Sequence, residues 1–205
     1  MGESKIDVLD KGFVELIDHM GDDERIVEAA RISYDARSSE DALKFVAQLW
    51  QSGHTSPFEQ VVLTFKVKCP IFVARQMMRH RTARINELSL RYTESKLEFY
   101  MPLDERLGEH PDTVRGYLET LYTQAAGCYK TMLATGVRKE VARVVLPVST
   151  YTEFFWQMDL HNLLHFLTLR TAKSAQWEMW QYAKAIETLA AGVCPAALAA
   201  WEASV

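Results

Sequence analysis

Hydrophobic segments that direct a chain into or across a membrane are missing from this sequence. No run of about eighteen apolar residues occurs, which excludes an ordinary transmembrane helix. The first residues, Met1-Gly2-Glu3-Ser4-Lys5, have neither the basic start nor the apolar stretch of a signal peptide. We therefore expect a cytoplasmic protein that has no membrane partner.

Cysteine is scarce, and its spacing excludes two further classes of protein. The three cysteines, Cys69, Cys128 and Cys194, lie far apart and form no Cys-x-x-Cys pair. This spacing supports neither a disulfide framework nor a cysteine metal cluster. Free cysteine is most often a buried, small apolar residue, so we expect structural thiols without a catalytic role.

The glycines do not form a Gly-x-Gly-x-x-Gly fingerprint, so the sequence does not indicate a Rossmann dinucleotide fold. A net positive charge is also missing, since the formal charge is −4 and the pI is about 5.9. Proteins that bind nucleic acid generally carry a basic domain, and this balance argues against that class.

Positive charge is nevertheless concentrated in one segment, residues 75–91, which we call the basic stretch. It contains five arginines and His80 against a single acid, Glu87. An acidic protein with one such stretch is more typical of a small anionic ligand than of a polyanion.

Hydrophobic periodicity predicts separated strands and helices rather than a regular βαβ alternation. Strands are expected within 5–17, around a turn at Lys11-Gly12, and at 60–68 and 148–157, with 82–100 irregular or strand-like. Helices are expected at 22–35, from Ser38 or Ser39 to Gly53, and at 71–80, 112–134, 138–145, 159–170 and 174–192. We predict an α+β fold: a mostly antiparallel sheet packed with helices, in one domain covering residues 1–205.

Two local patterns are specific enough to be tested. Val61, Leu63, Phe65 and Val67 alternate with polar residues, which predicts a strand with one buried face. Residues 56, 57 and 59 are Ser, Pro and Glu, which fit the N-cap, N1 and N3 positions of a capping box.

The basic stretch carries the side chains best suited to anion binding. On a helix, Arg75, Gln76 and Arg79 share a face, and guanidinium groups bind phosphate through paired donors. Ser89 and Arg91 could hold a second anion. The alternative is a solvated basic face. The interleaved apolar and neutral polar residues favour a binding site: Met77, Met78, Ile85, Asn86 and Leu88.

The same segment resembles the signature of flavin-dependent thymidylate synthases, which is Arg-His-Arg, seven residues and then Ser. Arg79-His80-Arg81 and Ser89 match it, and Asn86-Glu87 and Arg91-Tyr92 match its extended form. Further blocks that resemble the family are Gly53–Glu59, Pro70–Gln76, Glu140–Pro147 and Ala175–Glu178. The resemblance covers roughly residues 5–195.

The resemblance implies a role for each matching residue. FAD would be held by Arg79, His80, Arg81 and Glu87, by Ser56 from a neighbouring subunit, and by Asp159, Leu160, His161 and His165. The dUMP pocket would be lined by Gln76, Met77, Met78, Arg79, Glu87, Leu88, Ser89, Leu90, Arg91 and Arg143. Arg170 would be the catalytic residue, set against the uracil ring. Active sites would be shared between the subunits of a homotetramer.

Three positions depart from the family pattern. Arg84 stands where Ser is common, Asp159-Leu160-His161 stands where Asn-x-Arg is common, and His165 replaces an Asn of some members. The departures concern the flavin contacts rather than the activity.

The reaction that the resemblance implies is the reductive methylation of dUMP to dTMP. Methylenetetrahydrofolate would donate the one-carbon unit, and NADPH would reduce FAD.

Other interpretations of the same residues stay open. The basic stretch could belong to a nucleotide- or RNA-binding module, or to another nucleotide-modifying flavoenzyme. His161 and His165 have the i, i+4 spacing of a two-histidine metal site. No third ligand is evident, and we expect no bound metal. Ser89 lacks the Gly-x-Ser-x-Gly turn of a nucleophile. His54 is either a pocket side chain or a loop residue.

Overall fold

The computed structural model describes residues 4–32 and 42–205. Its strands, β1 to β5, are Lys5–Val8, Gly12–Met20, Val62–Pro70, Arg84–Glu87 and Tyr151–Asp159. Its helices, α1 to α8, are Asp23–Arg31, Ala42–Gln51, Ile71–Met77, Pro111–Ala134, Lys139–Ala142, Leu160–Arg170, Trp177–Ala191 and Pro195–Glu202. Short 3-10 turns lie at Phe58–Gln60, Asp104–Arg106 and Arg143–Val145.

The five strands form one sheet in the order β1-β2-β3-β5-β4, and every neighbouring pair is antiparallel. Trp156 on β5 lies opposite Phe65 on β3 and Ile85 on β4, so this strand links the edge strand to the centre. The predicted α+β class and antiparallel sheet are confirmed. The extent of the domain over residues 1–205 and the oligomeric state stay predictions.

Strand β3 lies at the centre of the sheet, and its two faces differ in sequence. Val61, Leu63, Phe65 and Val67 are fully buried and share a core with the helices, as their alternation predicts. The opposite face is polar, and Lys68 pairs there with Glu98 at 2.9 Å. One apolar face is enough to fix the register of a strand, since a slip by one residue would expose all four apolar side chains.

The hairpin between β1 and β2 needs the glycine at its turn. A Cβ atom on Gly12 would lie 1.9 Å from the Tyr182 hydroxyl oxygen and 2.7 Å from the Lys68 carbonyl oxygen. No side chain fits in that space, so the predicted Lys11-Gly12 turn is fixed by close packing against α7.

Helix α8 was not predicted. It begins at Pro195, which occupies the first helical turn, and continues through an alanine-rich segment with high helix propensity. The carboxylate of Asp23 accepts the backbone N–H groups of Ala196 at 2.7 Å and Ala197 at 3.0 Å. A side chain more than 170 positions away thus caps the helix, and local sequence patterns do not contain that signal.

Several predicted boundaries differ from the structure. The helix predicted at 71–80 ends at Met77, and the strand predicted at 148–157 lies at Tyr151–Asp159. The segment predicted as one helix over 138–145 divides into α5 and a 3-10 turn. Residues 33–35 of the first predicted helix, and the Ser38 or Ser39 cap of the second, lie outside the described residues.

The predicted capping box is wrong. Pro57 precedes the 3-10 turn Phe58–Gln60, and no side-chain hydrogen bond caps it. The Ser56 carbonyl oxygen accepts the Glu59 N–H at 3.3 Å instead, so the backbone alone closes this turn.

No helix in residues 4–32 or 42–205 is both long enough and apolar enough to cross a membrane.

The connection from β5 into α6 positions the candidate site. Leu160, at the start of α6, donates its N–H to the Val61 carbonyl oxygen at 2.8 Å, beside the beginning of β3. Because β3 and β5 are antiparallel, α6 returns towards the end of β3, where α3 begins. Its last residue, Arg170, therefore reaches the chain that leaves α3 at His80.

Candidate functional site

An open cleft of about 690 Å³ lies between the end of α3 and one face of α6. Its lining consists of Arg79, His80, Arg81, Thr82, Asn162, His165, Leu169 and Arg170. Its volume is in the range of cofactor and ligand sites. The structure thus brings together the Arg-His-Arg segment and the predicted catalytic arginine, which are about 90 residues apart in the chain.

His80 is the buried centre of this cleft. Its side chain is only 8% exposed, and its ring packs edge-on against Phe166, with ring centroids 4.8 Å apart. Burial, together with the nearby Arg170 and His165, lowers the pKa of His80 to about 4. The imidazole is therefore neutral at pH 7, and one ring nitrogen is a hydrogen-bond acceptor.

Arg170 uses that acceptor. Its Nε donates to His80 Nε2 at 3.1 Å, and its Nη2 donates to the Gln76 carbonyl oxygen at 3.4 Å. Burial lowers the pKa of Arg170, and the charge of Arg79 adds to the effect. A half-buried guanidinium held by two neutral acceptors and repelled by a second arginine favours an anionic or electron-rich ligand.

Arg79 and Arg81 are exposed at the edge of the cleft. Within the part of the chain that the structure describes, neither side chain forms a hydrogen bond or an ion pair. Their donors are therefore available to phosphate, which matches the planar fork of a guanidinium.

Several of the other predicted substrate residues lie elsewhere, and two of them surround Glu140. Glu87, on β4, accepts the Thr152 hydroxyl at 2.7 Å. Arg91 Nε lies 3.5 Å from Glu140 Oε2, and Arg143 Nε donates to the Glu140 carbonyl oxygen at 3.3 Å. Glu140 thus joins the two arginines. These residues do not line the cleft of Arg79 and Arg170, and those around Glu140 form a second group.

Within this second group, the turn after β4 holds Ser89. Its carbonyl oxygen accepts the Tyr92 N–H at 3.1 Å, and its hydroxyl oxygen lies 3.4 Å from the Arg91 N–H. The half-buried Leu88 and Leu90 flank it. This turn is a backbone structure that holds Ser89 close to the arginines.

Ser56 lies at a third place. A cleft of about 620 Å³ is lined by Ala29, Ala30, Leu49, Gly53, His54, Thr55, Ser56 and Pro57. Ser56 is exposed there. His54, which the sequence left open, thus lies in a cleft and is also exposed.

Two predicted ligand contacts need correction at the level of the side chain. Met77 and Leu160 are fully buried in the core, because each occupies an inward position of its helix. At 0% exposure, neither residue is accessible to a ligand in this structure. Met78, by contrast, is only partly buried.

The first turn of α6 is largely occupied by structural contacts. Asp159 caps the helix, since its carboxylate accepts the Asn162 N–H at 3.0 Å and the Asn162 amide at 2.8 Å. His161 Nδ1 lies 3.8 Å from Glu59 Oε1. Of the four flavin contacts predicted on this helix, only His165 lines the cleft.

Asn162 and Leu169 line the cleft as well, and sequence reasoning missed both. Asn162, His165 and Leu169 follow one another at intervals of three and four residues, which places them on one face of a helix. That spacing was the available signal.

Among the described residues, no group of three or more His, Cys, Asp or Glu side chains could hold a metal ion. His165 faces the ring of His80 at 6.3 Å between centroids, while His161 is directed towards Glu59. The two-histidine interpretation therefore finds no support in this part of the chain.

The cysteines are unsuited to nucleophilic chemistry. Cys69 and Cys194 are fully buried, and burial raises the pKa of both thiols. A reactive thiolate needs a lowered pKa and exposure. Cys128 is exposed, but it lies on α4 and lines none of the clefts described above.

We predict that Cys69→Ala keeps most of its turnover per folded molecule, because the thiol is neutral and buried at pH 7. Circular dichroism corrects for any loss of folded protein. If turnover vanished while FAD and dUMP still bound, the result would indicate a covalent mechanism that uses the Cys69 thiolate. Cys128→Ser, at an exposed position, is the matched control.

The structure thus defines an α+β protein in which a helix-packed antiparallel sheet carries an arginine-lined cleft suited to anionic ligands. The family model described as thymidylate synthase complementing protein matches residues 15–196. The chain belongs to this family.

Relatives of known name agree with the family match. A flavin-dependent thymidylate synthase of Pseudothermotoga lettingae is 48% identical over 198 residues, covering 93% of this chain and 90% of the relative. The enzyme of the same name from Thermus thermophilus is 48% identical over 215 residues, covering 98% of this chain and 79% of that one.

The fold is also similar to that of a solved structure, a UMP/dUMP methylase from Streptomyces cacaoi bound with 5-Br dUMP. The TM-score is 0.88 at 34% sequence identity, and the match covers 97% of each chain. The same methylase has also been solved with 5-Br UMP, again with a TM-score of 0.88.

Proposed function

We propose that this protein is a flavin-dependent thymidylate synthase that methylates dUMP to dTMP. The observation that carries the proposal is the cleft in which Arg170 lies beside Arg79 and Arg81, the two arginines of the family signature. Family membership and the names of the relatives support the same reaction.

The residues of the cleft fit FAD. Arg79 and Arg81 offer unpaired donors for its phosphates, and Leu169 adds apolar surface at the cleft wall. Such an arginine clamp takes the place of the glycine-rich loop that the sequence lacks. FAD, when bound, supplies the hydride chemistry of the reaction.

Arg170 has the catalytic role in this proposal. A fixed guanidinium in a partly desolvated cleft stabilises the negative charge that develops on the uracil ring, because it needs no reorganisation as the charge forms. Gln76, Arg79, Glu87, Ser89, Arg91 and Arg143 hold dUMP, the last two through its phosphate. Methylenetetrahydrofolate is the proposed one-carbon donor and NADPH the proposed reductant.

Shared active sites in a homotetramer are part of the proposal. The group around Glu140 and the cleft at Arg79 lie apart in one chain, so a neighbouring subunit is needed to combine them. Helix α4 supports assembly, since Tyr117 is 72% and Leu121 48% exposed along its surface. Sedimentation of the purified protein measures the oligomeric state. A cytoplasmic location completes the proposal.

The test of the function is direct. We expect the purified protein to be yellow and to convert dUMP to dTMP when methylenetetrahydrofolate and NADPH are added. UMP is assayed as a second candidate substrate, because the structural neighbour is named for both nucleotides. A colourless protein that takes up no added FAD would contradict the proposal and favour a nucleotide- or RNA-binding module. A yellow protein that makes no dTMP indicates another flavoenzyme.

A further inference from the structure

The hydrogen bonds of Arg170 occupy one edge of its guanidinium. Nε and Nη2 share an edge of this planar group, and they donate to His80 Nε2 at 3.1 Å and to the Gln76 carbonyl oxygen at 3.4 Å. The remaining edge, formed by the two Nη atoms, has no protein acceptor among the described residues. Arg170 lines the cleft, so the free edge is the one available to a ligand.

His80 can accept this hydrogen bond only while it is neutral, with its proton on Nδ1. The surroundings of the His80 ring favour this neutral form. The imidazole is nearly enclosed, with Phe166 against it at 4.8 Å and His165 at 6.3 Å between ring centroids. A protonated ring would face the Arg170 charge, and no carboxylate among the described residues lies within hydrogen-bond distance of it. The site thus holds a neutral acceptor in a fixed position.

A direct role for the His80 side chain in flavin binding fits these contacts poorly. Its Nε2 is already occupied, its ring packs against the core, and only 8% of the residue is exposed. Arg79 and Arg81, on either side of it in the sequence, are exposed and unpaired. The two arginines of the signature therefore differ in function from the histidine between them.

We propose that His80 is a positioning residue: its neutral imidazole holds Arg170 so that the free guanidinium edge faces the substrate. The inference rests on the proposed function only in assigning uracil to that edge. The hydrogen bond itself is a property of the chain and is measured without turnover.

The experiment compares two substitutions of similar shape. His80→Gln retains an oxygen acceptor at about the distance of Nε2, whereas His80→Met fills the space without a comparable acceptor. We expect His80→Met to lower kcat roughly 10- to 100-fold, as for a lost hydrogen bond to a charged group. Its FAD affinity should stay within a few-fold of wild type, and His80→Gln should recover most of kcat.

A double-mutant cycle separates positioning from general packing. In the Arg170→Ala background, His80→Met should cause no further loss of kcat, because the group it positions is absent. If the two losses multiplied instead, the residues would act independently and the proposal would be overturned. Equal losses in His80→Gln and His80→Met, together with weaker FAD binding, would overturn it in favour of a direct role at the cofactor.

The readout that needs no activity is the 1H–15N signal of the Arg170 Nε–H, assigned by its loss in Arg170→Lys. We expect slow solvent exchange in the wild type and in His80→Gln, and fast exchange in His80→Met. Fast exchange in the wild type would overturn the proposal. If His80→Met does not fold, His80→Asn replaces it, since its shorter side chain cannot reach Arg170.

These measurements also separate the two hypotheses. A wild type that makes no dTMP but keeps a protected Nε–H contradicts the proposed function and leaves the positioning role standing. An active wild type with an unprotected Nε–H supports the proposed function and contradicts the positioning role.

Discussion

Replacing Arg79 and Arg81 together by alanine should remove the flavin spectrum of the purified protein and leave its fold intact. Both side chains are exposed at the cleft and have no partner within the described residues. Removing them therefore breaks no hydrogen bond or ion pair in the part of the chain that the structure describes. What is lost is the pair of guanidinium groups that we propose bind the cofactor phosphates.

The expected size follows from the strength of hydrogen bonds to charged groups. At about 1.5–3 kcal/mol for each arginine, the double substitution weakens FAD binding roughly 10²–10⁴-fold. Fluorescence titration with FAD measures the dissociation constant, and the thermal unfolding midpoint of the apoprotein reports on the fold.

A control variant removes the same amount of charge elsewhere. Lys5→Ala with Arg138→Ala also lowers the net charge by two, and the side chains are 47% and 86% exposed. Neither residue lines the cleft. If this control lost flavin as completely as the double arginine variant, overall charge rather than a specific clamp would explain the binding.

The sheet could be predicted from the sequence because its signal is local. The alternation of Val61, Leu63, Phe65 and Val67 has the period of a strand, and their complete burial in the structure follows from it. Helix ends were less accurate. The predicted range 112–134 lies within one residue of the start of α4, whereas α3 ends three residues earlier than predicted.

The candidate site could be predicted only in part. The basic stretch was visible as a concentration of charge, and the family signature identified Arg79, His80 and Arg81. The hydrogen bond between His80 and Arg170 joins positions 90 residues apart, so no local pattern indicates it. It forms where the chain that leaves α3 meets the last residue of α6, and these helices follow different strands, β3 and β5.

The same limit explains the wrong capping box and the corrected ligand contacts. Ser56, Pro57 and Glu59 fit a motif of α-helix starts, but the segment closes as a 3-10 turn through backbone bonds alone. Met77 lies between the block Pro70–Gln76 and the signature, yet its helix position faces the core. A motif fixes which residues are present, and packing decides which of them face a ligand.

Arg170→Ala should lower turnover roughly 10²–10³-fold, as expected for the loss of one preorganised donor to a developing anion. The FAD dissociation constant should change little, because Arg79 and Arg81 are intact. The cleft disfavours the charged form of this guanidinium, since burial and the charge of Arg79 lower the pKa of Arg170. A disfavoured positive charge is understandable at a position where negative charge develops during the reaction.

The substitution also leaves His80 Nε2 without its donor, which by itself costs about 1–3 kcal/mol of stability if water does not replace it. Arg170→Lys and Arg170→Met separate this effect from catalysis. Lysine retains the charge but not the fork, and methionine retains the apolar stem but no donor. We expect kcat to fall in the order wild type, lysine, methionine, with FAD affinity nearly constant. If methionine turned over as fast as wild type, Arg170 would be a structural residue, and the developing charge on uracil would have to be stabilised by another group.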